Sequence, residues 1–272
     1  MNPLLSACFS VDYPNKPGVL RGVDFEIREG VIVGLVGESG SGKSTVALAL
    51  LQLLDHKGGK VRGKILFDGC DLVKLRQREM RDIRGLEIAL ILQSPVASLN
   101  PVLRIGSQLA EAWRAHNPDK AQWKQRALEL FDLVSLPTDE SFFDRYPRQL
   151  SVGQAQRVLI AMAILHRPRL LIADEATSAL DAVTQSETLA LFRKLNRELG
   201  MAMLFISHDL LAVASICSRV AILREGRIAE TGSTAELFRA PRTEDTRALL
   251  HAVLENTAAA ADLLPAAEIL GR

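Results

Sequence analysis

Apolar positions along the chain fall alternately into strand-length and helix-length segments. Strands are predicted at Val19–Ile27, Val31–Val36, Val61–Phe67, Glu87–Leu92, Leu170–Ala173, Met201–Ile206, Val220–Leu223 and Arg227–Ala229. Helices are predicted at Val46–Leu54, Gly153–His166 and Thr184–Leu199. Continuous apolar runs such as Val31–Val36 suit strands that are buried on both faces. The alternation therefore predicts an α/β fold with a largely parallel sheet.

The middle of the chain has a different pattern. From Arg104 to about Val134 there are two helical segments, separated near Asn117-Pro118, and no strand signal. We therefore predict an α/β core from residues 1–93 and 161–240, interrupted by a helical subdomain at residues 94–160. Residues 241–272 are predicted to form a C-terminal helical extension whose alanine-rich end frays.

Composition narrows the class of protein. The chain of 272 residues has 33 Lys and Arg against 32 Asp and Glu, a net charge of +1, which argues against a protein that mainly coats nucleic acid or anionic lipid. The longest uninterrupted apolar run, Val158–Leu165, is eight residues, whereas a membrane span needs about 20. The N-terminus has no basic region, so no signal peptide is expected. The three cysteines, Cys8, Cys70 and Cys217, are scattered, which predicts a reducing compartment and no disulfide framework. Because no cysteine or histidine metal-binding motif is present, no structural transition metal is expected.

A glycine-rich segment follows the predicted strand Val31–Val36 and precedes a helix. It reads Gly37, Glu38, Ser39, Gly40, Ser41, Gly42, Lys43, Ser44 and Thr45, which fits the phosphate-loop pattern GxxxxGK[ST]. Glycines let successive backbone N–H groups turn toward one point, and the helix N-terminus adds positive potential there. Lys43 can reach the β- and γ-phosphates, and the Ser44 hydroxyl suits Mg²⁺. The segment predicts a nucleoside-triphosphate site.

Two carboxylates follow another buried strand. Asp174 and Glu175 come directly after Leu170–Ala173, at the sheet edge where open α/β sheets bind ligands. Alone, such a pair is often only a helix cap or turn. With a phosphate loop upstream, Asp174 is predicted to serve Mg²⁺ and Glu175 to act as a general base.

Further motifs lie between and beyond these segments in one order. They are Gln93 after the strand ending at Leu92, Leu150–Gln154 (LSVGQ), Ser178–Asp181 (SALD) and His208. With the phosphate loop and the acidic strand end, they resemble the motifs of the ATP-binding cassette (ABC) family over about residues 4–240. The resemblance implies a RecA-like P-loop NTPase core, with a small antiparallel β subdomain and an inserted α-helical subdomain.

The resemblance also implies what each residue does. ATP and Mg²⁺ are the expected ligands, with Ser44, Gln93 and Asp174 serving the metal. The residues implied in hydrolysis are Lys43, Gln93, Glu175 and His208. Tyr13, ahead of the core strands, stands where the family places an aromatic ring against adenine, although Phe9 is a nearby rival and Tyr13 could instead be a surface residue.

Two such chains are implied to pair head to tail. Ser151, Gly153 and Gln154 of the signature segment would then contact the ATP held by the partner's phosphate loop, and Asp181 would link the two sites. Val152 replaces the first glycine of the family's LSGGQ. Either Val152 is an ordinary residue at a helix N-terminus, the interpretation we favour, or it is strained at a position that needs positive φ.

Three short sequence motifs indicate which branch of the ABC family this chain resembles. Gln93-Ser94-Pro95, Ser98–Pro101 (SLNP) and Thr246–Leu250 (TRALL) resemble peptide and nickel importers. This implies an ATPase subunit, peripheral on the cytoplasmic face of the inner membrane. Its implied partners are a second ABC ATPase, alike or different, membrane permease subunits and, indirectly, a solute-binding protein, with no nucleic acid. No cysteine follows Cys217, so the iron–sulfur tail of many peptide-import relatives is not expected.

Other functions remain open at this stage. They are a soluble ABC ATPase acting on nucleic acid or ribosomes, a partly degenerate regulatory subunit, and a metabolite kinase. Intact Lys43, Asp174, Glu175 and His208 argue against the regulatory subunit, and the signature segment has no role in a kinase. Trp113 and Trp123, in the predicted helical subdomain, are read as packing residues in preference to a partner-facing surface.

Overall fold

A computed structural model describes residues 2–54, 58–117 and 122–257, apart from the side chains of Val96 and of residues 252–257. The strands are β1 (Leu5–Tyr13), β2 (Lys16–Ile27), β3 (Ile32–Val36), β4 (Lys60–Phe67), β5 (Cys70–Asp71), β6 (Ile88–Ile91), β7 (Leu170–Asp174), β8 (Ala202–Ser207), β9 (Arg219–Arg224) and β10 (Arg227–Ser233). The helices are α1 (Lys43–Leu50), α2 (Gln77–Ile83), α3 (Pro95–Ser98), α4 (Ile105–Arg114), α5 (Trp123–Leu133), α6 (Val152–Ala163), α7 (Ala182–Leu199), α8 (Leu210–Ile216), α9 (Thr234–Arg239) and α10 (Glu244–Thr257). The alanine-rich end that was predicted to fray lies outside the described residues.

The larger sheet has six strands in the order β10-β9-β3-β8-β7-β6. The pairs from β9 to β6 are parallel, and only β10 runs antiparallel, to β9. Every residue of β3, β7 and β8 is buried. Helices α6, α7 and α8 pack on one face of the sheet, whereas α1 and strands β1 and β2 pack on the other. The predicted α/β fold with a largely parallel sheet is confirmed.

The smaller sheet is antiparallel, in the order β2-β1-β4-β5. Its strand β1 was not predicted, although alternate residues along it point into the core. Phe9 is one of these, at 1% exposed, so it belongs to the core and is no rival to Tyr13 as a ligand-facing ring. The partners of β1 in β4 lie 48 to 62 residues away in the chain, and local sequence carries little information about such pairing.

Helices α3 to α6 lie between β6 and β7 in the chain. Phe131 packs against Phe142 and Phe143, with ring centroids 5.3 and 5.2 Å away. Trp123 meets Phe143 edge-on at 5.3 Å, and Trp113 stacks on His166 at 5.6 Å. Both tryptophans are partly buried against the main core, so the packing interpretation describes them well.

Within the described residues, we find no helix that combines the length and the apolar character required to cross a membrane.

Candidate functional site

The phosphate loop connects β3 to α1, at the carboxyl end of the central strand of the larger sheet. Gly40 and Gly42 have φ of 83° and 108°, values that side chains rarely adopt. At Gly37 the constraint is space, because an added Cβ would overlap the carbonyl oxygen of Leu223 at the end of β9. The glycines therefore allow a tight loop that is pressed against the neighbouring strand.

Lys43 is the first residue of α1, and its ammonium group is folded back over the loop. The side chain is only 7% exposed. Nζ donates hydrogen bonds to the carbonyl oxygens of Gly37 at 2.7 Å and Glu38 at 3.0 Å, and it lies 3.7 Å from Oε1 of Glu175. A buried cation is thus fixed where the loop's backbone converges, which suits a polyphosphate.

Asp174 ends β7 beside this loop. Its side chain is 4% exposed, and among the described residues Oδ1 has no hydrogen-bond partner. Burial raises the pKa of the Asp174 carboxyl, and the charge of Glu175 raises it further, whereas a hydrogen bond from Ser44 and the charge of Lys43 oppose the rise. A buried carboxylate oxygen without a partner, next to a serine hydroxyl, is a donor set that fits a hard divalent cation such as Mg²⁺.

Glu175 lies in the left-handed region, with φ of 51°. Its N–H donates to the carbonyl of Ile206 at 2.9 Å, so the adjacent strand β8 holds this unusual backbone in place. Its Oε2 lies 2.8 Å from Nδ1 of His208, which follows β8. Glu175 therefore bridges Lys43 and His208. The sequence motifs predict these three side chains separately and carry no signal that one carboxylate contacts both of the others.

A cavity of about 1250 Å³ opens over Lys43, Glu175 and His208. The predicted residues that line it are Tyr13, Gly37, Glu38, Ser39, Gly40, Ser41, Gly42, Lys43, Ser44, Thr45, Gln93, Glu175 and His208. Lining residues that were not foreseen are Lys16, Val19, Ile222, Leu223, Arg224, Glu225, Asp245, Ala248 and Leu249. The sequence did offer a signal for residues 222–225, because β9 was predicted as a strand and its end meets the phosphate loop. Residues 246–250 were noted only for the resemblance of TRALL to peptide and nickel importers, which carried no expectation that they line the cavity.

The signature residues lie elsewhere and do not line this cavity. Ser151 caps α6, where its Oγ accepts from the N–H of Gln154 at 3.1 Å and Oε1 of Gln154 accepts from the N–H of Ser151 at 3.1 Å. Asp181 caps α7 in a similar way, accepting from the N–H groups of Val183 and Thr184. Gly153 stands between the two caps, since an added Cβ would lie 3.1 Å from Cγ2 of Thr184.

Val152 is the first residue of α6 and is 47% exposed. Its backbone does not have a positive φ. The alternative that Val152 is strained is therefore wrong, and the interpretation as an ordinary residue at a helix N-terminus holds.

Comparisons with known proteins agree with this geometry. The model of the family described as ABC transporter matches residues 20–178. The chain is 42% identical over 250 residues to the dipeptide transport ATP-binding protein DppD of Escherichia coli, covering 90% of this chain and 76% of DppD. It is 42% identical over 240 residues to the oligopeptide transport ATP-binding protein OppD of Bacillus subtilis, covering 88% of this chain and 67% of OppD.

A solved structure shares the fold. It is the dimeric post-hydrolysis state of the ATP-binding cassette MJ0796 bound to ADP and Pi, with a TM-score of 0.71 and 27% identity over 85% of this chain and 98% of the other. A family match over more than half of the chain, relatives at this identity and the phosphate-binding geometry agree. This chain belongs to the ABC transporter family, as an ATP-binding and ATP-hydrolysing subunit.

Proposed function

We propose that this chain powers the import of peptides, as one of two ATPase subunits that act on separate membrane permeases. Its similarity to DppD and OppD supports peptides as the substrate, as do the SLNP and TRALL motifs. The observation that carries the proposal is the separation of the two functional surfaces. The nucleotide cavity is lined by the phosphate loop, Glu175 and His208. Ser151 and Val152 of the signature segment are exposed, Gly153 and Gln154 are half-buried, and none of them lines that cavity.

In the proposed reaction, ATP lies on the phosphate loop with its negative charge against the backbone N–H groups and Lys43. Glu175 accepts a proton from the attacking water as the bond between γ-phosphorus and the bridging oxygen breaks. His208, already 2.8 Å from Glu175, orients that carboxylate and contacts the γ-phosphate. Tyr13, at the end of β1, packs against the base.

Ser44, Gln93 and Asp174 are the residues proposed to hold Mg²⁺. When bound, Mg²⁺ neutralises charge that develops on the phosphate oxygens. The ionised form of Asp174 would be the metal ligand. Burial raises the pKa of this carboxyl, whereas the hydrogen bond from Ser44 and the charge of Lys43 favour the ionised form.

The second chain supplies the other half of each site. Ser151, Gly153 and Gln154 of one chain contact the γ-phosphate held by its partner, and Asp181 links the two sites. Closure of the pair then depends on the γ-phosphate, because the signature segment of one chain binds the negative charge of that phosphate on the other chain. Gln93, whose side chain reaches the cavity, relays this state to the permease.

The location follows from these partners. We place the chain on the cytoplasmic face of the inner membrane, held there by contacts with the permease subunits. A solute-binding protein delivers peptide from the other side and does not touch this chain.

The test is reconstitution with the permease subunits and the solute-binding protein of the proposed import system. Peptide-loaded binding protein should stimulate ATP hydrolysis in proteoliposomes and drive uptake of labelled peptide, whereas empty binding protein should not. Complexes that carry Glu175→Gln should assemble but not transport. Stimulation by Ni²⁺-loaded binding protein alone, or by nucleic acid without permease, would contradict the proposal.

A further inference from the structure

The C-terminal helix α10 borders the nucleotide cavity. Asp245, Ala248 and Leu249 line it together with the phosphate loop. Their spacing of three and four residues places them on one face of the helix. Ala248 is exposed, and because it lines the cavity, its exposed surface faces the space where nucleotide binds.

Glu230 of β10 fastens the start of this helix. Its carboxylate accepts hydrogen bonds from the N–H groups of Arg242, at 3.0 Å, and Thr243, at 3.0 Å, and from the Thr243 hydroxyl at 3.1 Å. Thr243 Oγ1 in turn accepts from the N–H of Thr246, which is 1% exposed, and lies 2.8 Å from its hydroxyl. One carboxylate thus satisfies the backbone groups that precede α10.

The charge of Glu230 is essential to this arrangement. Its partial burial by itself raises the pKa, but hydrogen bonds from Arg242, Thr243 and Thr246 outweigh that effect and lower the pKa to about 2. The carboxylate is therefore ionised at neutral pH, and only an ionised carboxylate accepts all of these bonds.

A second contact ties α10 to the floor of the cavity. Arg224, at the end of β9, forms an ion pair with Asp245, with 2.5 Å between Nη1 and Oδ1. Beyond Arg224, the N–H of Gly226 donates to the carbonyl of Ser41 in the phosphate loop at 3.2 Å. A short run of contacts therefore connects α10 to the loop itself.

We propose that α10 is a wall of the nucleotide site and that Glu230 is the residue that positions it. This rests on the nucleotide binding assigned above and extends it to a segment outside the cassette motifs. Because the helix and the nucleotide share one cavity, each stabilises the bound position of the other, and the effect is reciprocal. Nucleotide binding then reduces the opening of α10, and release of α10 weakens nucleotide binding.

Thiol protection tests the wall directly. In a Cys8→Ser, Cys70→Ser background, which removes the two exposed thiols, Ala248→Cys is labelled with a maleimide with and without nucleotide. ATP or ADP at ten times its dissociation constant should slow labelling about tenfold. Arg247→Cys, exposed on the same helix but outside the cavity lining, is the matched control and should react at an unchanged rate.

The labelling conditions separate the wall from shielding by a second chain. Protection that appears with ADP and stays constant as protein is diluted comes from nucleotide, whereas shielding by a partner requires ATP and falls with dilution. Equal labelling rates with and without saturating nucleotide would overturn the proposal. So would protection only under conditions that favour dimers.

The positioning role is tested with Glu230→Gln, which keeps the shape of the side chain but removes its charge. This variant should lose most of the protection at Ala248→Cys, and amide hydrogens of residues 244–250 should exchange faster. Glu230→Asp, which keeps the charge, should recover part of the protection and part of the slow amide exchange. Glu244→Gln, the same charge change at an exposed position in the first turn of α10, should match the parent.

The outcomes also distinguish this proposal from the peptide-import function. If the parent chain binds no nucleotide, both fail. If it binds nucleotide without protection at residue 248, only the α10 wall fails. If protection is found but peptide does not stimulate the reconstituted system, the wall stands and the import assignment is wrong.

Discussion

The phosphate-loop side and the signature side of this chain differ in how their polar atoms are used. Lys43 and Asp174 are 7% and 4% exposed, and Asp174 keeps a buried oxygen without a partner among the described residues. At the signature, Val152 and the neighbouring Val183 are 47% and 70% exposed, while the polar atoms of Ser151 are satisfied within the helix cap. One region is built to receive a ligand inside its own chain. In the other the polar atoms are already satisfied, and we propose that this surface acts through contact with a partner.

The largest effect should come from Glu175→Gln. Removing the base should lower ATP hydrolysis by about two to four orders of magnitude while nucleotide affinity stays near that of the parent. Phosphate release and equilibrium nucleotide binding measure the two quantities. Glu198→Gln, at an exposed position on α7, should leave both unchanged. Hydrolysis at the parental rate in the Glu175→Gln chain would show that another group is the base.

The next largest effect is expected in a complementation experiment, which tests whether the phosphate-loop side of one chain works with the signature side of another. Lys43→Ala should abolish nucleotide binding, whereas Ser151→Ala should bind nucleotide normally and fail only in hydrolysis by the dimer. An equal mixture of the two chains should recover about a quarter of parental activity, because half of the dimers then carry one intact composite site. An inactive mixture would show that the two regions do not complement each other across chains.

A smaller effect is expected in stability. Asp174→Asn should raise the unfolding free energy of the nucleotide-free chain by on the order of 1 kcal/mol, because it removes a buried carboxylate whose ionisation is disfavoured. Since the folded pKa is raised, the gain is largest at pH above that pKa and disappears below the usual aspartate pKa. Thermal unfolding across pH measures it, and the same variant should lose Mg²⁺-dependent hydrolysis.

Asp181→Asn is a control for which we expect the unfolding free energy to change in the opposite direction. Hydrogen bonds from Thr184 hold the pKa of Asp181 below its usual value, so this substitution should destabilise slightly at neutral pH, and the loss should vanish as pH falls. Stabilisation by both variants would contradict the contrast between a buried ligand site and a satisfied cap.

The smallest effect should be that of Val152→Gly. Because Val152 has ordinary helical conformation, restoring the family's glycine relieves no strain and should change hydrolysis by less than about twofold. Glycine should lower the melting temperature slightly, since it is a poorer helix former. An increase of tenfold in hydrolysis would show that valine hinders the partner's site after all.

Much of the site was readable from sequence because its residues are local. A phosphate loop must follow a strand and begin a helix, so Gly37 to Thr45 can be recognised without knowing what surrounds them. Asp174 and Glu175 were found for the same reason, at the end of a short apolar strand. Strand β1 was missed although its buried positions alternate regularly, because its partners in β4 are distant in the chain and local sequence carries little information about such pairing.

The amino-acid sequence by itself determined the α/β alternation, the loop that accepts phosphate and the family to which the chain belongs. Tertiary structure decided which of these parts meet. It joined Glu175 to both Lys43 and His208, held Phe9 in the core, placed the signature away from the cavity and brought α10 to its edge. The reason is physical: backbone conformation follows from neighbours in the chain, whereas burial and pairing depend on strands and helices that the sequence holds far apart.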